Sequence, residues 1–308
     1  VAALWLALAV DARFGEPPAR LHPVVWMGNY LAWTGRLAAP PVTALDARRF
    51  KSFAAGTLAW CAGAAMVLIA ALALQALAQR LPSWLAWVLT GLALKPLLAW
   101  RMLRSEALAV EAALAESLDA GRARLARLVS RDVGALTEAE VRESAIESLA
   151  ENLNDSVVAP LFWFVLFGLP GAAVYRFANT ADAMWGYRGE RGGRDWTWAG
   201  KWAARADDVL SWAPARITAL LMAMVALHWP HGLLRQARTT PSPNSGWPMA
   251  AMALLLGVRL GKPDVYVLNA GGRAPEAPDS RRAARLAGLA VVAAALWAAV
   301  AIGLLALA

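Results

Sequence analysis

Charge is what this sequence has least of. Only 17% of its residues are Asp, Glu, Lys or Arg, against roughly 25% in ordinary soluble domains, and the stretches 52–79, 156–175 and 286–308 hold none. A helical crossing needs about 20 apolar residues, so this scarcity argues against a soluble globule and for spans in lipid. Cysteine is nearly absent as well. Cys61 is the single one, which excludes an intrachain disulfide framework and reads as a small packing residue. With three histidines beside it there is no zinc spacing. There is also no glycine-rich loop ending in Gly-Lys-Ser/Thr and no Gly-x-Gly-x-x-Gly, so nucleotide use is not legible from a standard motif. No period of 20 to 50 residues repeats, which excludes an array.

Two further apolar stretches are weaker candidates for crossing: 81–100, with Lys95 inside it, and 217–234, uncharged but with Pro230 near its end. Residues 1–10 are apolar but cover only about 15 Å as a helix. They read as part of a truncated or half-buried helix of the mature chain, without the basic leader or cleavage site of a secretory signal. The net charge of +8 is dealt out by loop, with six Lys/Arg in 11–52, seven in 101–155, six in 176–208 and eight in 235–285. No single basic patch invites a nucleic-acid partner. The positive-inside rule instead places these loops in the cytoplasm around an outer turn at 80–82. The expected fold is all-α: a polytopic membrane protein of about four to five transmembrane helices. It has a hairpin at 52–100, amphipathic solvated helices at 101–155, a core motif region at 156–234 and a C-terminal span at 286–308. Pro160 and Gly168-Leu-Pro-Gly171 interrupt 156–175, so this stretch and 217–234 are expected to be re-entrant, which keeps 176–208 inside.

Polar residues gather at the ends of the apolar stretches. Thr137 with Glu140 forms a capping box that opens a helix, on which Glu140, Glu143, Ser144, Glu147, Glu151 and Asn154 share a face within about 100° of arc. Glu140 and Glu143 read as its wet side. Glu151-Asn152-Leu-Asn-Asp155 differs, because it stands at the mouth of an apolar segment, where ionised groups tend to be functional. Carboxylates and amides of this kind are the hard oxygen ligands of magnesium. A second cluster holds Asn179, Asp182, Lys201, Arg205, Asp207 and Asp208. Lys201, Arg205 and Asp208 share one helical face, as in a simple salt-bridge ladder, and Arg176, Arg205 and Arg216 are candidate phosphate clamps. Asp11, Gly15-Glu16-Pro17 and Leu21-His22-Pro23 form a third cluster, in which His22 is a candidate acid or base or simply a structural hydrogen-bonding residue. His228 and His231 read as interfacial. The run 242–248, with Asn244, reads as a tight polar turn before a short helix. Sixteen Trp suit membrane interfaces, although Trp185, Trp196, Trp198, Trp202 and Trp212 also invite the idea of a stacking platform.

Taken in order, these motifs resemble those of the CbiB/CobD family, the adenosylcobinamide-phosphate synthases. The resemblance covers 11–28, Glu147 to Asp155 with Ala159-Pro-Leu161, Asn179 to Met184 with Gly186-Tyr187, Ala203 to Asp208 with Pro214-Ala-Arg216, and Ser242 to Ala251. Glu16 stands where the family pattern has Asp, and Ser156 where Gly is common. The resemblance implies a single membrane-embedded catalytic domain in a cell inner membrane, with its site on the cytoplasmic side. The implied reaction is ATP-dependent amide formation between adenosylcobyric acid and aminopropanol or its phosphate. Its partners would be the lipid bilayer, other membrane-bound enzymes of cobalamin assembly and a second copy of the chain. On that reading Glu151, Asp155, Asp182, Asp207 and Asp208 hold Mg2+, while Arg176, Lys201, Arg205, Arg216 and Asn244 hold ATP. His22, Glu147, Glu151, Asn152, Asp155, Asn179 and Asp182 surround the chemistry, with His22 or Glu147 moving the proton. The rival class is a transporter or an AmpE-like membrane sensor or assembly protein. A transporter should carry ionisable residues near the midplane, and here the clear spans have none.

Overall fold

The computed structural model describes residues 1–42, 49–305 and 307; Ala306 and Ala308, at the end of the expected C-terminal span, lie outside them. The chain divides into two compact units. One comprises Val1–Leu98 and Ala159–Leu210, the other Ala99–Val158 and Ser211–Ala308, so the stretch 156–234 contributes to both.

The first unit opens with α1 (Ala2–Phe14), closed by Gly15 at a φ of 72°, whose N–H donates to the Asp11 carbonyl. His22 caps α2 (Pro23–Ala38) by accepting the Val24 N–H at Nδ1, with Pro23 in the first turn, where its missing N–H costs nothing. The 31 residues of α3 (Arg49–Gln79) extend about 46 Å at 1.5 Å per residue, enough to cross. Its inner seam is made of small residues, Gly56, Gly63, Ala71 and Ala78. At Gly63 a Cβ would collide with the rings of Phe177 and Tyr30, so glycine there sets the helix spacing. On other faces of α3 Leu58, Met66, Ile69 and Leu72 are exposed, as lipid-facing residues should be.

The expected span 81–100 belongs to the longer stretch Ser83–Glu116 and changes its helical form part-way. α4 (Ser83–Leu94) stops where Lys95 and Pro96 enter a single 3-10 turn, Lys95–Leu97. Proline cannot donate to the helix ladder, and Lys95 turns inward, 3% exposed. The expected loop 176–208 begins as helix, because α8 runs from Ala159 to Trp185. Its one break is at Gly168 (φ 64°), two residues before Pro170 and against Gln75, inside the expected Gly-Leu-Pro-Gly interruption. A short antiparallel hairpin follows, β1 (Glu190–Arg191) with β2 (Arg194–Asp195), and then α9 (Lys201–Leu210).

In the second unit, α5 (Trp100–Glu116), α6 (Leu118–Leu125) and α7 (Glu138–Leu153) share a core of Val110, Leu114, Leu125, Val141 and Ala145. The expectation that 101–155 is solvated is overturned at α7, where every residue from 143 to 150 is buried. Glu143, expected on the wet face, is 2% exposed and paired with Arg259 at 2.9 Å. The reason is packing on several sides, against α5, against the hairpin of β3 (Leu260–Lys262) and β4 (Tyr266–Leu268), and against α12 (Gly246–Leu256) and α13 (Ala277–Leu305). The capping box is present, and a π-helical turn, Asn154–Val158, follows α7. The expected stretch 217–234 is not one helix. α10 (Trp212–Val225) ends before Leu227, which has a φ of 50°, and α11 (Leu233–Ala237) starts after Gly232.

Among the described residues, four helical stretches are long and apolar enough to cross a bilayer: Arg49–Gln79, Ser83–Glu116, Glu138–Trp185 and Ala277–Leu305, or five if α9 and α10 count together. Within Glu138–Trp185 the charge-free run is 156–175, so the crossing part excludes the acidic residues of α7. On α13 Leu289, Val292, Leu296, Val300 and Leu304 are exposed, a surface that lipid must cover. The protein is an all-α, multi-pass membrane protein.

Candidate functional site

The acidic face of α7 lines a cavity of about 340 Å³ in the second unit. Glu147, Glu151 and Asn152 reach it from the helix, Ser242 and Ser245 from the turn before α12, and Arg131 from the segment before α7. Lys262 and Tyr266 complete it. They are cross-strand partners on the β3–β4 hairpin, and facing residues on an antiparallel pair project to the same side. Two motifs far apart in the sequence thus meet in one polar cavity.

Glu147 and Tyr266 are both strongly perturbed in it. Glu147 is 4% exposed, Arg131 Nη2 lies 3.6 Å from its Oε2, and Oε1 is buried without a hydrogen-bond partner. Burial, which disfavours a carboxylate, pushes its pKa up to about 7, with Arg131 and the Tyr266 hydroxyl pulling against it and Glu143 adding to it. A carboxylate poised near neutrality can take and return a proton. Tyr266 titrates above its ordinary range because it is buried beside Glu147 and Glu151, so its hydroxyl stays a donor. Arg131 is also held by a short hydrogen bond to Ser144. Ser242 Oγ accepts the backbone N–H groups of Asn244 and Ser245 at 3.2 and 3.3 Å, which fixes this turn at the cavity wall.

Other expected residues of this unit sit differently. Arg216 and Asn244 come together, but on each other. The guanidinium lies between the Trp212 and Trp247 rings at 4.5 and 4.7 Å, and donates to Asn244 Oδ1 at 2.8 Å and to the Trp212 carbonyl at 2.7 Å. Asp155 accepts from Asn154 Nδ2 at 2.8 Å, while Asn154 Oδ1 accepts the Thr218 hydroxyl, tying the π turn to α10.

In the first unit, Arg176, Asn179 and Asp207 form a chain across α8 and α9. Arg176 Nη1 donates to Asn179 Oδ1 at 3.3 Å, and Asn179 Nδ2 approaches Asp207 Oδ1 at 3.5 Å. Asp182 stands near the end of α8, and its carbonyl accepts the Gly186 N–H. Arg205 lies 3.8 Å from Asp208 one turn on, the salt-bridge ladder in its simplest form, and Lys201 rests 4.2 Å from the Trp198 ring centre. His22 Nε2 meets Glu16 at 2.9 Å, and Lys95 bridges Glu16 and Asp11 at 3.0 and 3.1 Å. Trp185 is fully buried against Trp196 and donates to the Leu31 carbonyl, and Trp202 meets Trp60 edge-on. Trp185 and Trp196 thus pack on each other, while Trp202 and Trp212 keep exposed surface.

Sequence reasoning passed over Arg131, Lys262 and Tyr266. A signal existed for the last two, since Leu260-Gly-Lys-Pro-Asp-Val-Tyr-Val-Leu268 places a Pro-Asp turn between two short apolar runs, a hairpin pattern. For Arg131 there was none. By sequence Lys95 weakens a candidate span, although a charge at that position is itself a functional signal. Among the described residues no three His, Cys, Asp or Glu side chains stand close enough to form a ready-made ion cage.

Fold and cavity define a class: a multi-pass helical membrane protein with a polar, acid-and-cation cavity outside its apolar runs. Comparison with known proteins narrows the class. The family model described as CobD/Cbib protein matches residues 4–290. The chain is similar to the probable cobalamin biosynthesis protein CobD of Methanothermobacter thermautotrophicus, 41% identical over 87% of this chain and 86% of the relative. It is also similar to the cobalamin biosynthesis protein CobD of Chromobacterium violaceum, 42% identical over 84% and 80%. No solved structure matches it. The chain belongs to the CobD/CbiB family.

Proposed function

We propose that the chain is an ATP-dependent ligase of cobalamin biosynthesis, joining a carboxyl of adenosylcobyric acid to the amine of aminopropanol or its phosphate at a cytoplasmic face of a cell membrane. The observation that carries this reading is the cavity in which Glu147, held near neutrality, faces two cations. Amide formation from a carboxylate requires an activated oxygen and a neutral amine. ATP bound with magnesium would supply the phosphoryl group that makes this oxygen a leaving group, ADP being released in that transfer. Arg131 and Lys262 provide the positive charge such a transfer needs. Glu147 accepts the proton that the amine loses as the C–N bond forms, and inorganic phosphate leaves. Tyr266 donates toward the carboxylates of the cavity and keeps Glu147 oriented. Magnesium fits here as an ion carried by the nucleotide, since it usually binds through one or two carboxylates plus phosphates and waters. Glu151 is the carboxylate besides Glu147 that lines this cavity, and Asp155, Asp182, Asp207 and Asp208 remain candidates by the family resemblance.

The test is direct. Purified protein in lipid nanodiscs, given ATP, magnesium, adenosylcobyric acid and either amine, should form the amide and consume ATP only when corrinoid is present. ATP consumption independent of corrinoid, or no amide with either amine, would overturn the proposal.

A further inference from the structure

The two cations of the cavity differ in what already holds them. Arg131 is engaged by Ser144 and Glu147. Lys262 is half-buried, and its ammonium acts on Glu147 through charge, without a close ion pair or hydrogen bond to any described residue. Its N–H donors make no hydrogen bond among the described residues, and the cavity has room for an oxyanion that would take them. Hydroxyls from two other segments line the same cavity, Ser130 before α7 and Ser242 and Ser245 before α12. Ser242 Oγ accepts two backbone N–H groups and donates to none of the described residues, so its own hydrogen is available. An ammonium and hydroxyls carried on separate segments of one cavity wall suit the several oxygens of a tetrahedral group. A planar carboxylate would favour an arginine fork, and here Arg131 Nη2 is already engaged by Ser144 and Glu147.

We propose that Lys262, with the hydroxyl of Ser242, forms a phosphoryl-binding corner of this cavity, built on the β3–β4 hairpin and without a glycine-rich loop. This deepens the ligase reading and rests on it for the identity of the substrates. Two sources carry the same chemistry, the polyphosphate of a nucleotide and a phosphomonoester on the amine.

The full chain in nanodiscs would be titrated with inorganic pyrophosphate and, separately, with phosphoethanolamine. At least one should bind, and the tighter of the two identifies the source. Replacing Lys262 by Met should weaken that probe by roughly tenfold or more, as expected for loss of one charged hydrogen-bond partner, while Lys262→Arg keeps most of the affinity. Ser242→Ala, which leaves the hairpin untouched, should weaken it by a smaller factor. Binding of neither probe to the unaltered protein would overturn the proposal, as would equal binding by Lys262→Met at an unchanged melting temperature. The outcome is separable from the ligase assay, because a protein that makes amide yet is indifferent to Lys262→Met retains the ligase reading and loses this one.

Discussion

Replacing Glu147 by Gln should make the protein more stable and less active, and the stability gain should depend on pH. The carboxyl titrates near 7 in the fold against an ordinary 4.5. Because the folded value is the higher, the folded state holds the extra proton. The stabilisation from a neutral Glu147 is therefore complete below pH 4.5 and is lost as pH rises through about 7. At roughly 1.4 kcal/mol per unit, the penalty for ionising this group above pH 7 is on the order of 3 kcal/mol. Gln keeps the shape and removes the charge, so it avoids that penalty. Thermal melts of both proteins in one detergent should coincide near pH 4.5 and separate by several degrees near pH ~8.5, the variant melting higher. In the amide assay the same variant should lose about 10² to 10⁴ in rate, the usual worth of a proton acceptor. A variant whose melting advantage is equal at both pH values would refute the buried-carboxylate argument, and unchanged catalysis would remove Glu147 from the chemistry.

Three other outcomes follow from packing and charge. Lys95→Met leaves Asp11 and Glu16 facing each other without their shared cation, which should destabilise the protein by about 3–5 kcal/mol, as breaking a buried pair does; a melting temperature within about a degree of the parent would contradict it. Gly63→Val drives a side chain into Phe177 and Tyr30 and should cost about 1–3 kcal/mol, read from the melt; a variant that melts with the parent would show that the small-residue seam does not set the spacing of α3. Chelating magnesium with EDTA should abolish amide formation while leaving the melting temperature unchanged, since no described acidic cluster forms an ion cage; a fall in melting temperature on chelation would indicate a structural ion instead.

The legible and illegible parts of this molecule divide along a physical line. Uncharged runs such as 52–79 declare themselves because lipid admits few ways to cross it, and the Thr137–Glu140 box announces the start of α7 through local bonds alone. The direction of a side chain relative to distant segments has no such local signature. The period of α7 put Glu143 and Glu147 on one face, and acid-rich faces usually point to water. Here Arg259, Arg131 and the β3–β4 hairpin supply the counter-charges and cover. The same limit explains Arg216, which looked like a free clamp until the Trp212 and Trp247 rings and Asn244 enclosed it. It also explains Lys95, which lowered the hydropathy of a span and ended the helix instead, its charge being tolerated only because α1 and the Glu16 turn bring two carboxylates to it. In a membrane protein a buried charge forces a partner, so the misplaced charges of the sequence are where the tertiary structure is most strongly determined.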